Sequence, residues 1–522
     1  MKRLLLLFHT LRYLKPVQIL NRVWRKVPSR PCHDAALEPC GGKAAAEFPR
    51  FIRVWDGATG FTFLNETHAL ASAADWNNGD WKKLWLYNLH YFDCLRQEGV
   101  TDVKCAELML RWIAENPAGK GNGWEPYPVS LRVANWIKFL IAAKGISDVQ
   151  RREIDRSLAL QVRWLAKRLE YHLLANHLLA NAKALVFAGL YFGGKNREAR
   201  KWLGKGMAIY RRELPEQVLA DGVHFERSAM YHSIILEDVL DCLNMAAGFG
   251  ADAALFRDFA GRMLGGLDLL TGPDGRIALF NDAAYGIALD PAVLRAYAER
   301  LGVAAAQRTA QTAASVQKGS GFVRMAAGTW TLIAKCGEIG PSYQPGHAHA
   351  DSLTFELWHG AEKVVTDTGT DRYVIDEERK RQRGTAAHNT VVIGGANSSE
   401  VWAGHRVGRR AKSRVISLND RELKAECVDI RGNRLTRTLR LTETGLFGSD
   451  EISLACSSVK AEIRFHFTEK SVLGYQLSSG AGIAWEEAQI AEEFGKTVPA
   501  QCAVIRVPDA QPAVEWTIRT NA

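Results

Sequence analysis

Two hydrophobic rhythms divide this chain, and the switch between them limits its fold more than any other feature. From about residue 65 to 310, apolar residues recur at i, i+3, i+4 and i+7. "SLRVANWIKFLIAAKG", "LALQVRWLAKRLEYHLLANHLLANAKALVFAGLYF" and "SAMYHSIILEDVLDCLNMAAGFG" are examples. That spacing gives each of several helices an apolar stripe, and Gly, Pro and Asn punctuate their ends. Near 315 the rhythm shortens. "SGFVRMAAGTWTLIAKCG", "DSLTFELWHG", "HNTVVIGG" and "RLTRTLRLTETGLFGSDEISL" are short, alternating, β-branched runs between turn residues. The spacing predicts an α+β multidomain chain. Residues 1–60 are a basic amphipathic segment and linker. A helical bundle, solenoid or toroid follows over 61–314, then an antiparallel β-sandwich over 315–522. No strict repeat period is visible, which disfavours a simple repeat protein.

At 522 residues the chain exceeds what one core usually organises. Its formal net charge of +10 favours acidic partners without choosing among nucleic acid, anionic lipid and acidic polymer. Nine cysteines stand singly, with no CxxC. That pattern excludes a zinc ribbon and favours reduced thiols in a reducing compartment. The opening "MKRLLLLFHTLRYLKPVQILNRVWRKV" has too short an apolar run for a membrane span and no cleavage site of signal-peptide type. A cytoplasmic location is the expectation, a periplasmic one the alternative. Arg12, Lys15, Arg22, Arg25 and Lys26 alternate there with apolar residues. The segment reads either as a weakly associating membrane-surface helix or as one docked on its own domain.

Four stretches carry residue types suited to chemistry. In "YQPGHAHAD", His347 and His349 lie one residue apart, and an extended strand would turn both to one face. With Asp367 in "VVTDTGT" and His388 in "TAAHNT" they are good zinc ligands. Arg379, Lys380, Arg381 and Arg383 crowd the loop before His388, and Arg406, Arg409 and Arg410 follow. These form either a solvated basic surface or a cradle for a polyanion. "EYHLLANHLLANAKAL" holds Asn176, His177 and Asn181. Asn176 and His177 are neighbours, so both reach one site only near a helix end or a kink. "DGVHFERSAMYHSIILED" holds Glu226 and Tyr231. A core tyrosine is the plainer account of that stretch alone, but nearby cations would lower the Tyr pKa and fit it for proton transfer. "GNGWEPYPVSLRVANWIKFL" gathers Trp124, Glu125, Tyr127 and Arg132, and aromatic faces beside an Arg fork suit a sugar ring bearing a carboxylate.

Together these blocks resemble the heparinase II/III family of polysaccharide lyases. The resemblance runs from about 80 to 420. It is strongest in "GHAHADSLTFEL…DTGTDRY…RQRGTAAHNTVVIGGANSSE", with "ANHLLANAKAL" and "DGVHFERSAMYH" in the helical part. It implies an N-terminal (α/α) toroid, a C-terminal β-sandwich, and β-elimination on uronate-containing polysaccharides. In that chemistry, donors neutralise the uronate carboxylate so that the C5 proton becomes acidic. A base removes the proton and an acid protonates the leaving O4. The resemblance implies Asn176 or His177 at the carboxylate, with His177 a further possible base, and Tyr231 and His347 as proton-transfer groups. His177, His347 and Arg132 would supply the cationic field for Tyr231. Trp124, Tyr127, Arg132, Glu226 and Arg383 are expected to bind substrate. His349, Asp367 and His388 fall where some relatives hold a structural zinc. No organic cofactor is implied. The implied partner is an acidic polysaccharide rather than nucleic acid, in a setting of polysaccharide assembly or remodelling.

Three other classes compete. A glycoside hydrolase on the same toroid needs two carboxylates flanking the bond, with Glu125, Glu226 and Asp282 available. A non-catalytic polyanion binder would keep the basic patches without needing Tyr231 and His347 together. A zinc hydrolase would need an open metal position.

Overall fold

The computed structural model describes residues 2–27, 31–50, 53–307, 310–456, 459–508 and 513–521. Two short helices, α1 (Lys2–Leu11) and α2 (Pro16–Trp24), come first. Among the described residues nine helices then build the first large domain: α3 (Lys83–Tyr91), α4 (Asp102–Glu115), α5 (Pro126–Ala142), α6 (Asp148–Ala166), α7 (Ala175–Tyr191), α8 (Arg197–Gln217), α9 (Ala229–Gly248), α10 (Ala254–Leu270) and α11 (Pro291–Arg300). Side-chain oxygens of Thr101, Ser147, Asn196 and Ser228 cap the starts of α4, α6, α8 and α9.

Helices alternate between two layers. α3, α5, α7 and α9 neighbour one another in an inner row, while α4 packs on α6, α8 on α7 and α10 on α9. That is the arrangement of an (α/α) toroid. Burial follows the layers. In α7 every residue except His177 is buried, as expected of a helix apolar on all sides. The outer α6 and α8 keep a charged face towards solvent.

From Phe322 onward strands dominate, interrupted by two long loops at 336–354 and 366–390 and by two six-residue helices, Glu377–Gln382 and Glu469–Gly474. A six-stranded antiparallel sheet runs in the order 412–418, 422–428, 434–442, 445–453, 513–520, 475–479. Its longest hairpin pairs without a slip from Arg434↔Ser453 to Thr442↔Gly445. The second sheet includes 483–493, 496–506, 461–468, 362–365, 355–359, 330–335 and 322–327 in that order, with 391–393 paired to 461–468. Inward residues of both sheets share one core, in which the rings of Phe355, Phe465 and Trp516 lie within 5.9 Å of each other, Phe355 and Trp516 nearly parallel. A separate apolar cluster crosses the domain boundary, joining Met230, Leu270 and Phe280 to Phe322, Ile333 and Trp358. It fixes the toroid against the sandwich. All nine cysteines are free thiols.

Candidate active site

A cavity of about 440 Å³ opens where the two domains meet. The toroid contributes Tyr87, Tyr127, Asn176, His177 and Tyr231; the sandwich contributes Gln344, His347, Tyr373 and His405. At one end Arg96, Lys138 and Lys183 interlock with Glu237, Asp238 and Asp241 in buried ion pairs.

His347 is the pivot. It lies in a turn rather than in the strand its spacing suggested, so the HxH pair does not present one shared face. Asn281 Oδ1 accepts from the His349 backbone N–H at 3.0 Å, and the His347 carbonyl accepts from the Asp282 N–H at 3.0 Å. Thus anchored, the His347 ring reaches across the domain boundary to Glu226, with Nδ1 2.5 Å from Oε2. Burial would raise the Glu226 pKa, but the imidazole and the Asn176 N–H outweigh it and hold the carboxyl at about 2. An ionised carboxylate at Nδ1 takes the N–H there and leaves Nε2 as the basic atom. Glu226 was expected to touch substrate. At 2% exposure it sits behind His347 instead, a positioning group for the imidazole.

Tyr231 stacks on His347 with ring centroids 3.8 Å apart and planes 11° from parallel. Its hydroxyl is 3.1 Å from the Tyr373 hydroxyl. Of the expected cationic field, Arg132 is absent, held inside the toroid, and His347 is the member that touches Tyr231. Burial, and after it the neighbouring Tyr373, push the Tyr231 pKa well above 10. The phenol therefore stays protonated and is poised to donate.

Asn176 and His177 open α7, and the backbone resolves their adjacency. Leu174 (φ 63°, ψ −147°) and Ala175 (φ 49°) both hold positive φ, conformations that cost a non-glycine residue roughly 1–3 kcal/mol. This abrupt start lets both side chains reach the cavity. The Asn176 amide donates to Glu226 at 3.0 Å. His177 Nδ1 faces Glu170 at 3.2 Å, and its ring lies 4.6 Å from the Tyr127 ring. Burial opposes the His177 charge, but Glu170 outweighs it and raises the pKa. His177 is thereby suited to donate to an anion rather than to act as a base.

His349 points away from the cavity. Its Nε2 is 2.8 Å from Asp282, and Asp282 is also held bidentately by the buried Arg379. His388 Nδ1 is 3.0 Å from Asp367. The two imidazoles lie 5.3 Å apart, and His349 Nδ1 and His388 Nε2 are both buried without a partner. With each N–H given to a carboxylate, these are two unanswered lone pairs, a donor set that fits a cation. Asp367 serves here as the carboxylate behind His388 rather than as a third ligand beside it. Among the described residues, the trio whose ligand atoms gather within 4.8 Å is Asp282, His347 and His405, and Arg379 already neutralises its carboxylate.

Three expected substrate contacts lie elsewhere. The Arg132 guanidinium is fully buried, donating to Gln161, the His90 carbonyl and the Gly123 carbonyl and stacking on Trp112. Trp124 is wedged between Trp112 and Trp164, with its N–H on the Asn116 carbonyl. Arg383, 1% exposed, donates to the carbonyls of Ala348 and Ala403. Their polar groups are spent inside the fold, so none can reach a sugar. The basic loop is largely neutralised too: Lys380 pairs with Glu377, Arg381 with Glu378 and Arg409 with Glu400. Of the carboxylates open to a hydrolase, Glu125 faces Lys83 and Tyr87, Glu226 faces His347, and Asp282 faces Arg379.

Tyr373 and His405 are site residues that the sequence reading missed. Tyr373 stands in the quoted "DTGTDRY" block, six residues after Asp367, which was its only signal. His405 was hidden among the arginines beside it. Its ring lies 4.9 Å from Tyr373 and 5.9 Å from His347, and burial lowers its pKa to about 4.

Fold and cleft together define a two-domain protein, (α/α) toroid on β-sandwich, with an acid–base constellation at the domain boundary. The chain belongs to the heparinase II/III family: residues 104–301 match the heparinase II/III N-terminus and residues 309–519 the heparinase II/III-like C-terminal domain. A heparin-sulfate lyase of Bacteroides thetaiotaomicron is 24% identical over 337 residues, covering 56% of this chain and 48% of that protein. One from Bacteroides stercoris is 27% identical over 251 residues, covering 44% and 37%. The match thus spans about half, or less, of these relatives' length. Among solved structures, a heparinase III superposes with a TM-score of 0.64 at 17% identity, covering 97% of this chain and 89% of the other. The heparan sulfate lyase HepC of Pedobacter heparinus gives 0.58 at 17% identity, covering 97% and 87%.

Proposed function

We propose that this protein is a polysaccharide lyase that cleaves an acidic, uronate-containing glycosaminoglycan by β-elimination. The observation that carries the reading is the Glu226–His347–Tyr231–Tyr373 array, assembled from both domains at one cavity with Asn176 and His177 beside it. The heparin-sulfate lyases among its relatives support the same class of substrate.

The steps follow from the protonation states. His177 donates to the uronate carboxylate, as does the second Nδ2 hydrogen of Asn176, whose first is held by Glu226; both withdraw charge, which acidifies C5–H. His347 Nε2 takes the C5 proton, while ionised Glu226 stabilises the imidazolium that forms. The C5–H electron pair becomes the C4=C5 double bond as the C4–O4 bond breaks. Tyr231 gives its proton to O4; once the products leave, His347 passes the C5 proton to solvent and the Tyr231 phenolate takes one back from solvent. No net proton is gained or lost by the protein.

Product chemistry tests the reading. Incubation with a panel of uronate polymers is expected to release an unsaturated uronate that absorbs in the ultraviolet. New reducing ends without that absorbance would indicate a hydrolase, and binding without products would indicate a polyanion-binding protein.

A structural metal, zinc by its nitrogen donors, is part of the proposal. His349 Nδ1 and His388 Nε2 would hold it, with Asp282 and Asp367 orienting the two rings. It would stiffen the loops that carry His347 and Tyr373 and take no part in proton transfer. Purified protein is expected to contain one equivalent of metal, and chelation is expected to lower its melting temperature. Absence of stoichiometric metal, with unchanged melting after chelation, would refute this.

A further inference from the structure

The first two helices are folded inside out. The polar side of α2 faces the protein: Gln18 is fully buried, its amide on the carbonyls of Leu173 and Tyr343, and Arg25 contacts His172. Lys15 pairs with Glu216 and lies over the Tyr343 ring. α1 is pinned through Thr10, which accepts from Trp402 Nε1 at 3.1 Å, and Arg410 lies over the following Tyr13 ring. The apolar sides face water. On α1, Leu4, Phe8 and Leu11 follow an i, i+4, i+7 stripe and are 71%, 60% and 48% exposed. On α2, Leu20, Val23 and Trp24 are 70%, 65% and 71% exposed. A soluble protein rarely leaves so contiguous an apolar surface bare.

The charge beside this face is of one sign. Arg3, Arg12, Arg22 and Lys26 lie between residues 3 and 27, in addition to the protein-facing Lys15 and Arg25, and no acidic residue comes before Asp34. Neither helix is long and apolar enough to cross a bilayer. Short helices with an apolar stripe, a tryptophan and flanking arginines match the interfacial zone of a membrane. There the side chains enter the acyl boundary and the cations meet anionic headgroups. We propose that α1 and α2 dock this protein peripherally on an anionic lipid bilayer. Leu173, whose carbonyl holds Gln18, lines the cavity. Docking would therefore hold the cleft close to the bilayer, within reach of a polymer lying at that surface.

Vesicle flotation tests this on the full-length protein. Wild type is expected to float with phosphatidylglycerol–phosphatidylcholine vesicles. With phosphatidylcholine alone, or at high salt, its partition coefficient should be lower by about tenfold or more. The triple variant F8S/L20S/W24S is expected to lose at least about tenfold in partition coefficient on the anionic vesicles, with circular dichroism and melting little changed because these side chains are mostly exposed. The proposal is overturned if wild type stays with the soluble fraction at low salt, or if the variant floats as wild type does. It is likewise overturned if wild type is a dimer that the variant converts to monomer, which would assign the face to a second copy of the chain.

Discussion

Tyr231→Phe is expected to lower release of unsaturated uronate by about a hundred- to ten-thousandfold, the usual worth of a positioned general acid, while the acidic polymer still binds. The change removes one oxygen whose only described partner is the Tyr373 hydroxyl. It leaves the ring that stacks on His347 at 3.8 Å, so the fold and the Glu226–His347 pair should persist. His347→Ala is expected to cost a similar factor through loss of the base. The two losses should not multiply in the double variant, because acid and base act in one concerted elimination. Burial keeps the Tyr231 phenol neutral, and this assigns it the acid role. If so, Tyr231→Phe should lose least on substrates whose O4 substituent is a good leaving group, since such a group needs no proton. Single-turnover rates on natural and activated-leaving-group uronides measure this. A Tyr231→Phe variant with full activity on the polymer would remove the tyrosine from the mechanism.

The fold was largely legible because each domain repeats its own hydrophobic period, and the switch near 315 lies just ahead of the sandwich's first strand at Phe322. Residues brought to the cavity by local helix geometry were legible too, namely Tyr127, Asn176, His177 and Tyr231. The errors share a cause. Arg132 and Trp124 sit on or beside α5, an inner helix buried on nearly every side. An aromatic–Arg cluster reads the same in sequence whether it faces a sugar or a tryptophan core. Arg383 and Arg379 look like surface cations in a basic run, yet each is folded inward to clamp backbone carbonyls of the 402–406 loop. Those clamps place His405, and Arg379 also lies over the Tyr373 ring at 5.0 Å. Contacts of that range carry no local signature. Neither does Asp282, a toroid residue that orients His349 of the sandwich.

Glu226→Gln is expected to reduce turnover by about a hundredfold or more, with a smaller effect on KM. The carboxylate does not touch substrate; it fixes the His347 tautomer and stabilises the imidazolium that forms as the C5 proton arrives. Gln keeps the volume and can still pair with Asn176, but it offers no charge and can present an N–H to Nδ1, which would turn the wrong nitrogen towards the cavity. The same residue carries a stability signature of definite sign. Its folded pKa, about 2, lies below the ordinary 4.5. Ionised Glu226 therefore stabilises the fold fully above about pH 4.5, and that contribution fades as pH falls towards 2. The interval corresponds to on the order of 3 kcal/mol. Other buried carboxylates, Asp282 among them, are depressed as well, so the informative quantity is the difference between the two proteins. Urea unfolding followed from neutral pH into acid should show wild type losing more stability than Glu226→Gln across that window, with the two curves converging as Glu226 protonates. Parallel curves would mean that Glu226 is not ionised against His347, and the tautomer assignment that gives Nε2 the base role would fall with it.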